Sequence, residues 1–175
     1  ALYSSLTASD NVAIGFSALY ANTTGSFNTS VGSNSLYSNT SGLHNTALGF
    51  ETLNKNTTGN YNTAAGYIAL QNNTTGDYNT AFGRNALRLN TTGEYNTGIG
   101  TNVLTSNATG TQNVAVGGNS QYINTGGSYN TSIGTSALYG GDQGSYNVAA
   151  GCEALHWNRG SSNVASGYQA MYNND

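Results

Sequence analysis

A single period of seventeen residues runs through this chain from end to end. An Asn opening the pattern Asn-[Thr/Val]-small-x-Gly stands at Asn11, Asn28, Asn45, Asn62, Asn79, Asn96, Asn113, Asn130 and Asn147, and again at Asn163 after a step of sixteen. A fixed period of this length belongs to arrays in which one supersecondary unit stacks on the next. Residues 1–175 therefore read as one repeat array, a partial coil over 1–10 followed by ten repeats. The expectation is an elongated scaffold and not an enzyme.

With the motif Asn as position zero, the column at plus three is mostly apolar: Ile14, Val31, Leu48, Ala65, Phe82, Ile99, Val116, Ile133, Ala150 and Ser166. The column at plus one is β-branched throughout, from Val12 and Thr29 to Val148 and Val164. Residues two apart on a strand share a face, so these columns are expected to form a core-facing strand surface, with small residues such as Ala47 and Ala64 on the other side. A second core column follows at plus eight, with Leu19, Leu36, Leu53, Leu70, Leu87, Leu104, Leu138 and Leu155.

Two corners punctuate each repeat. Gly occupies plus four in all ten copies, a position that suits positive φ or close chain approach. The second corner reads Asn-Thr-Thr-Gly, as at Asn22–Gly25 and Asn56–Gly59, where side chains form turns through backbone hydrogen bonds. An aromatic commonly precedes the next motif Asn (Phe27, Tyr61, Tyr78, Tyr95, Tyr129, Tyr146) and is expected to stack into a ladder. These corners leave no uninterrupted stretch for a helix. The fold expected is an all-β parallel β-solenoid or β-roll with one seventeen-residue coil per repeat, about 48 Å tall at ~4.8 Å per coil.

Each coil offers about two large apolar side chains, a thin core against the ordering entropy of its residues. A homotrimer is the expected remedy, with the small residues at plus two and plus seven letting neighbouring chains approach; an end-to-end filament is the other arrangement in view. The chain opens and closes in mid-repeat, as an excerpt of a longer polypeptide would.

Composition narrows the function. Charged residues make up 6%, against roughly 25% in ordinary soluble domains. Four basic residues, Lys55, Arg84, Arg88 and Arg159, cannot build a phosphate-binding stripe, so nucleic acid is not an expected partner. No apolar run nears the roughly twenty residues of a membrane span, so this segment is not expected to insert. Cys152 is the only cysteine and proline is absent, which leaves stability to stacked strands.

The copies Asn11-Val12-Ala13-Ile14-Gly15 and Asn113-Val114-Ala115-Val116-Gly117 resemble the head repeats of trimeric autotransporter adhesins. The fuller unit from Tyr61 to Leu70, followed by Asn-Asn-Thr-Thr-Gly, is similar to repeats of phage tail-fibre and surface-fibre proteins. The resemblance implies a trimeric, left-handed parallel β-roll in an extracellular fibre, at a cell surface or in a virion tail. Such a fibre holds a binding tip away from a surface, or binds host matrix or glycan along its side. The repeat is longer than the usual adhesin head unit, the Asn-Thr-Thr-Gly corner being the extra.

No arrangement of nucleophile, base and orienting acid stands out, and no cofactor or metal is expected. His44 and His156 fall at different phases, minus one and plus nine, so they cannot form a ligand column. The seven acids are spread over several phases. Asn22, Asn39, Asn56, Asn73, Asn90 and Asn107 all open Asn-x-Ser/Thr at one corner, as do Asn28, Asn72 and Asn130 elsewhere, so a glycan-decorated filament is an alternative to a plain turn ladder. Columns of Thr at plus one, twelve and thirteen raise an ice-binding solenoid, set against the Val residues that share the plus-one phase and suggest burial. Glycan binding by the array flank is the further alternative. From Gln112 onward the repeats drift, with Gln121 in place of the core Leu and Asp142-Gln143 in place of Thr-Thr; a binding patch is sought between Gly117 and Gly144.

Overall fold

The computed structural model describes residues 2–4, 7–140 and 144–174. It is an all-β parallel β-solenoid of about nine turns, with about seventeen residues per turn and no helix among the described residues. Each coil contributes one three-residue strand: β1 (Val12–Ile14), β2 (Thr29–Val31), β3 (Thr46–Leu48), β4 (Thr63–Ala65), β5 (Thr80–Phe82), β6 (Thr97–Ile99), β7 (Val114–Val116), β8 (Thr131–Ile133) and β9 (Val148–Ala150). Two short strands at the last corner, β10 (Trp157–Asn158) and β12 (Asn173–Asn174), pair with each other, and β11 (Val164–Ser166) closes the main sheet.

The ten-stranded sheet is parallel and in register, each residue facing its equivalent one repeat on, as Thr63 faces Thr80 and Ala64 faces Ala81. At the end the register steps by sixteen, Val148 facing Val164. The missing residue is taken out of the polar corner, where Asn158-Arg159-Gly160 replaces the four-residue version. The strand is untouched because a one-residue slip there would turn every side chain to the opposite face.

That opposite face is where the structure departs from expectation. The strands bury the small plus-two residues (Ser30, Ala47, Ala64, Ala81, Ala115, Ser132, Ala149), while Ile14, Leu48, Phe82, Ile99 and Ile133 stand exposed and Val31 half-buried. Ile14 is 60% and Ile133 53% exposed. The plus-eight column lies inside as expected: Leu19, Leu36, Leu53, Leu70, Leu87, Leu104 and Leu155 are fully buried and Leu138 nearly so.

The reason is the narrow bore of a seventeen-residue coil. Side chains at plus two and plus seven meet across it, and the leucine at plus eight fills the remainder. In the second coil Ser30 and Ser35 join through their hydroxyls. In the sixth, Gly98 faces Val103, and a Cβ on Gly98 would come within 3.1 Å of Val103 Cγ1. The volume is conserved across the coil, small against large, as close packing requires. An Ile or Phe at plus two has no room, so the larger column goes outside. Consequently the small residues at plus two and plus seven are interior and unavailable to a neighbouring chain.

Backbone ladders join the coils on the sides without strands too, as Leu53 N–H donates to Ala69 O and Leu70 N–H to Ala86 O, each at 3.0 Å. The corner Gly at plus four has φ between 122° and 139°, and from Gly15 to Gly151 a Cβ there would strike the carbonyl of the Gly one coil on.

Candidate functional surface

Two buried amide ladders hold the corners. The motif Asn residues accept, through Oδ1, the backbone N–H of the next motif Asn at 2.8–3.0 Å, from Asn11–Asn28 to Asn147–Asn163. From Asn11 to Asn147 their Nδ2 atoms donate to the corner Gly carbonyl of the same repeat, as Asn79 does to Gly93 O at 2.8 Å. The second ladder runs through the Asn-Thr-Thr-Gly corner. Asn39, Asn56, Asn73, Asn90, Asn107 and Asn124 each donate to the preceding Asn Oδ1 at 2.8–3.2 Å.

This overturns the glycan-decorated reading of the corner. Asn22, Asn39, Asn56, Asn73, Asn90 and Asn107 are all 0% exposed, and in the five from Asn39 onward the amide nitrogen donates both to the preceding Oδ1 and to the Gly carbonyl three residues on. A glycan needs that nitrogen and open space. Asn28 and Asn130 are buried in the motif ladder. Asn72 alone among these acceptor sequences is half-buried, its Nδ2 donating to Arg88 O at 2.9 Å.

Outside, aromatic rings stack at minus one. Phe27, His44, Tyr61, Tyr78 and Tyr95 form one run with centroids 4.8–4.9 Å apart, and Tyr129–Tyr146 a second. The period of the array imposes this spacing, since parallel strands repeat at about 4.8 Å. Partial desolvation in the stack raises the Tyr78 hydroxyl above its ordinary value, and Tyr95, Tyr61, Asp77 and Glu94 add to the shift. His44 thus serves as one rung of a ring stack. His156 does the same at plus nine, between Tyr139 (4.9 Å) and Tyr172 (4.8 Å), with its buried Nδ1 unpaired.

The drifting region holds a polar layer inside the coil. Gln121 is 1% exposed and donates to Ser132 Oγ at 2.8 Å and Val114 O at 3.1 Å. Ser120 and Ser132 join at 2.6 Å. Asp142 and Gln143 lie outside the described residues. Cys152 is an exposed free thiol. Among the described residues no three His, Cys, Asp or Glu side chains gather to hold a metal ion, and no helix is long and apolar enough to cross a membrane.

A groove of about 500 Å³ opens at the other end of the array, lined by Phe16, Ser17, Tyr20, Asn34, Tyr37 and Asn54. Sequence reasoning followed columns along the array and missed it, because the groove runs between two columns, plus five and plus nine. The available signal was the Phe16/Tyr20 pair flanking Ser17. No family model matches the chain, and no curated protein or solved structure matches it either.

Proposed function

We propose that the chain is a segment of an extracellular fibre, shaft or adhesive head, on a cell surface or in a virion tail, in which three copies pack through the outer face of the sheet. The observation that carries this reading is the file of exposed apolar residues along that face: Ile14, Leu48, Phe82, Ile99 and Ile133 at plus three, flanked by Val12, Val114, Val148 and Val164 at plus one. A contiguous apolar surface of this length on a chain with so few charges marks an interaction site. Copies of the same array match it in length and repeat, so each coil meets an equivalent coil. Its function is mechanical and multivalent, giving length and stiffness and showing the same polar flank many times.

Ice binding suits the same face less well. Thr29, Thr46, Thr63, Thr80 and Thr97 do stand in one file on it, half-exposed. The neighbouring column, however, alternates Leu48, Ala65, Phe82 and Ile99, a corrugated relief that fits interdigitating side chains better than a flat lattice. At plus twelve the hydroxyls of Thr23, Thr40, Thr57, Thr74 and Thr91 donate to the next coil's carbonyl.

Light scattering on the purified chain tests the proposal. A mass near three times 18.0 kDa that drops to one chain in Ile99→Asp/Ile133→Asp is the expected result. A single-chain mass in the unmodified protein overturns it, and a broad series of large masses replaces the trimer with an end-to-end filament.

A further inference from the structure

The groove at Phe16 combines an open ring face with a free carboxamide, a pairing not repeated among the described residues. On one side stand Tyr20 and Tyr37, stacked on each other at 5.2 Å and 4°, with Tyr3 stacked on Tyr20 at 5.1 Å. Tyr20 has a ring on each face and Tyr37 has one on the face toward Tyr20, so this side offers the groove mainly ring edges and hydroxyls. On the other side stands Phe16. Its face toward the next coil carries no ring, because the residue at the same phase there is Ser33, and it is open toward that gap.

The floor is polar and uncharged. Asn34 is fixed by its backbone N–H, which donates to Phe16 O at 2.8 Å, while its carboxamide makes no hydrogen bond within the described residues. Lower in the same column the carboxamides are engaged, Asn85 donating to Asn102 at 2.7 Å and Asn102 to Asn119 at 3.2 Å. Asn54 closes the lower end, its Nδ2 on Asn34 O at 3.0 Å. Ser17 adds a hydroxyl, and no charged residue lines the groove. Lys55, which follows Asn54, donates to Asn72 Oδ1 at 2.8 Å.

We infer that this groove binds a neutral pyranose, either free or as the terminal unit of a glycan. A pyranose has one face of C–H groups and a rim of hydroxyls. The electron-rich face of Phe16 attracts the weakly positive C–H groups. A free carboxamide offers one donor side and one acceptor side, the complement of adjacent sugar hydroxyls, and the hydroxyls of Ser17, Tyr20 and Tyr37 extend that set. The volume falls within the roughly 300–1,000 Å³ of small-molecule sites. An anionic sugar finds no cation here.

Other coils lack the combination. Arg84 and Arg88 occupy the two flanking phases in mid-array. The last coil repeats both aromatics as Tyr168 and Tyr172, but its floor residue Gln169 is held by Glu153 Oε2 at 2.8 Å, which makes that floor acidic. This inference does not rest on the trimer.

The test is ligand-detected NMR titration of the whole chain with methyl glucoside, galactoside, mannoside and N-acetylglucosaminide, with N-acetylneuraminic acid as the anionic comparison. Saturable millimolar binding of at least one neutral sugar is expected, at one site per chain. Phe16→Ser, which copies the native residue of the next coil, should weaken it at least tenfold, and Asn34→Asp likewise. Tyr168→Ser should leave it unchanged. Capture of the chain by beads coated with the same sugar identifies a surface glycan as the source, and binding of the free sugar alone identifies a soluble one. No saturable neutral sugar, preference for the anionic sugar, or binding unaltered in both Phe16→Ser and Asn34→Asp overturns the inference; the Asn34 variant decides the matter should the Phe16 variant not fold.

Discussion

The coils above Gln121 and those below it are built on the same plan and filled differently. Above it one continuous apolar cluster runs from Leu19 to Ala115. Below it a second, smaller cluster holds Ala137, Leu138, Ala149, Ala154, Leu155 and Ala165. Between them lies the polar layer of Gln121, Ser120 and Ser132. Yet the sheet passes through without a change of register, and the motif Asn ladder continues from Asn113 to Asn130 to Asn147 at 3.0 Å per step. The contrast teaches that hydrogen-bonded columns set the coil geometry, while the core accepts different contents as long as volume and polar pairing are kept.

Core truncation should separate the two regions most strongly. Leu87→Ala, inside the long cluster, is expected to cost about 4 kcal/mol, and Leu155→Ala, in the short one, about 2 kcal/mol. Urea unfolding of both variants measures this; equal costs would mean the break at Gln121 has no energetic meaning.

Ladder substitutions should behave in the opposite way. Asn79→Ala strips the Asn96 N–H of its acceptor, and Asn147→Ala does the same to Asn163, both groups being paired at 3.0 Å. Each should cost about 2 kcal/mol. A much smaller loss at Asn147 would show that the ladder carries less load in the lower coils.

Gln121→Leu joins the two clusters and removes a buried Oε1 that has no partner. A gain of about 1 kcal/mol is expected, seen as a higher denaturation midpoint. A loss would mean that the polar layer positions the backbone around Ser132.

The smallest effect is electrostatic and confined to the upper ring stack. The Tyr78 hydroxyl is raised, so the folded chain holds that proton more tightly than the unfolded one. Its contribution is fully present below the unfolded tyrosine value near 10 and disappears as pH rises through the folded value. Ultraviolet titration should therefore lose a late-ionising component in Tyr78→Phe, with a slightly shallower alkaline loss of stability in that variant.

Much of this architecture was legible before any coordinates. The strand positions, the glycine corner, the leucine column and the stacked rings all repeat with the period, and a repeated residue in a parallel array must meet its own copy one coil away. The candidate sites were less legible. The corner sequons look like glycan acceptors in one dimension, and only their place in a buried amide ladder removes them. The Phe16 groove depends on Ser33 leaving a ring face open, a relation between coils that no single repeat contains.

The sequence by itself determined the period, the one-strand coil and the in-register stacking, because each follows from identical residues recurring at identical steps. Only the tertiary structure decided which face of the strand turns inward. Alternation offers two faces, and the size of Ile14, Phe82 and Ile99 argues for burial. The narrow coil settles it the other way, since Gly98 against Val103 and Ser30 against Ser35 already fill the bore and leave the larger residues on the outside.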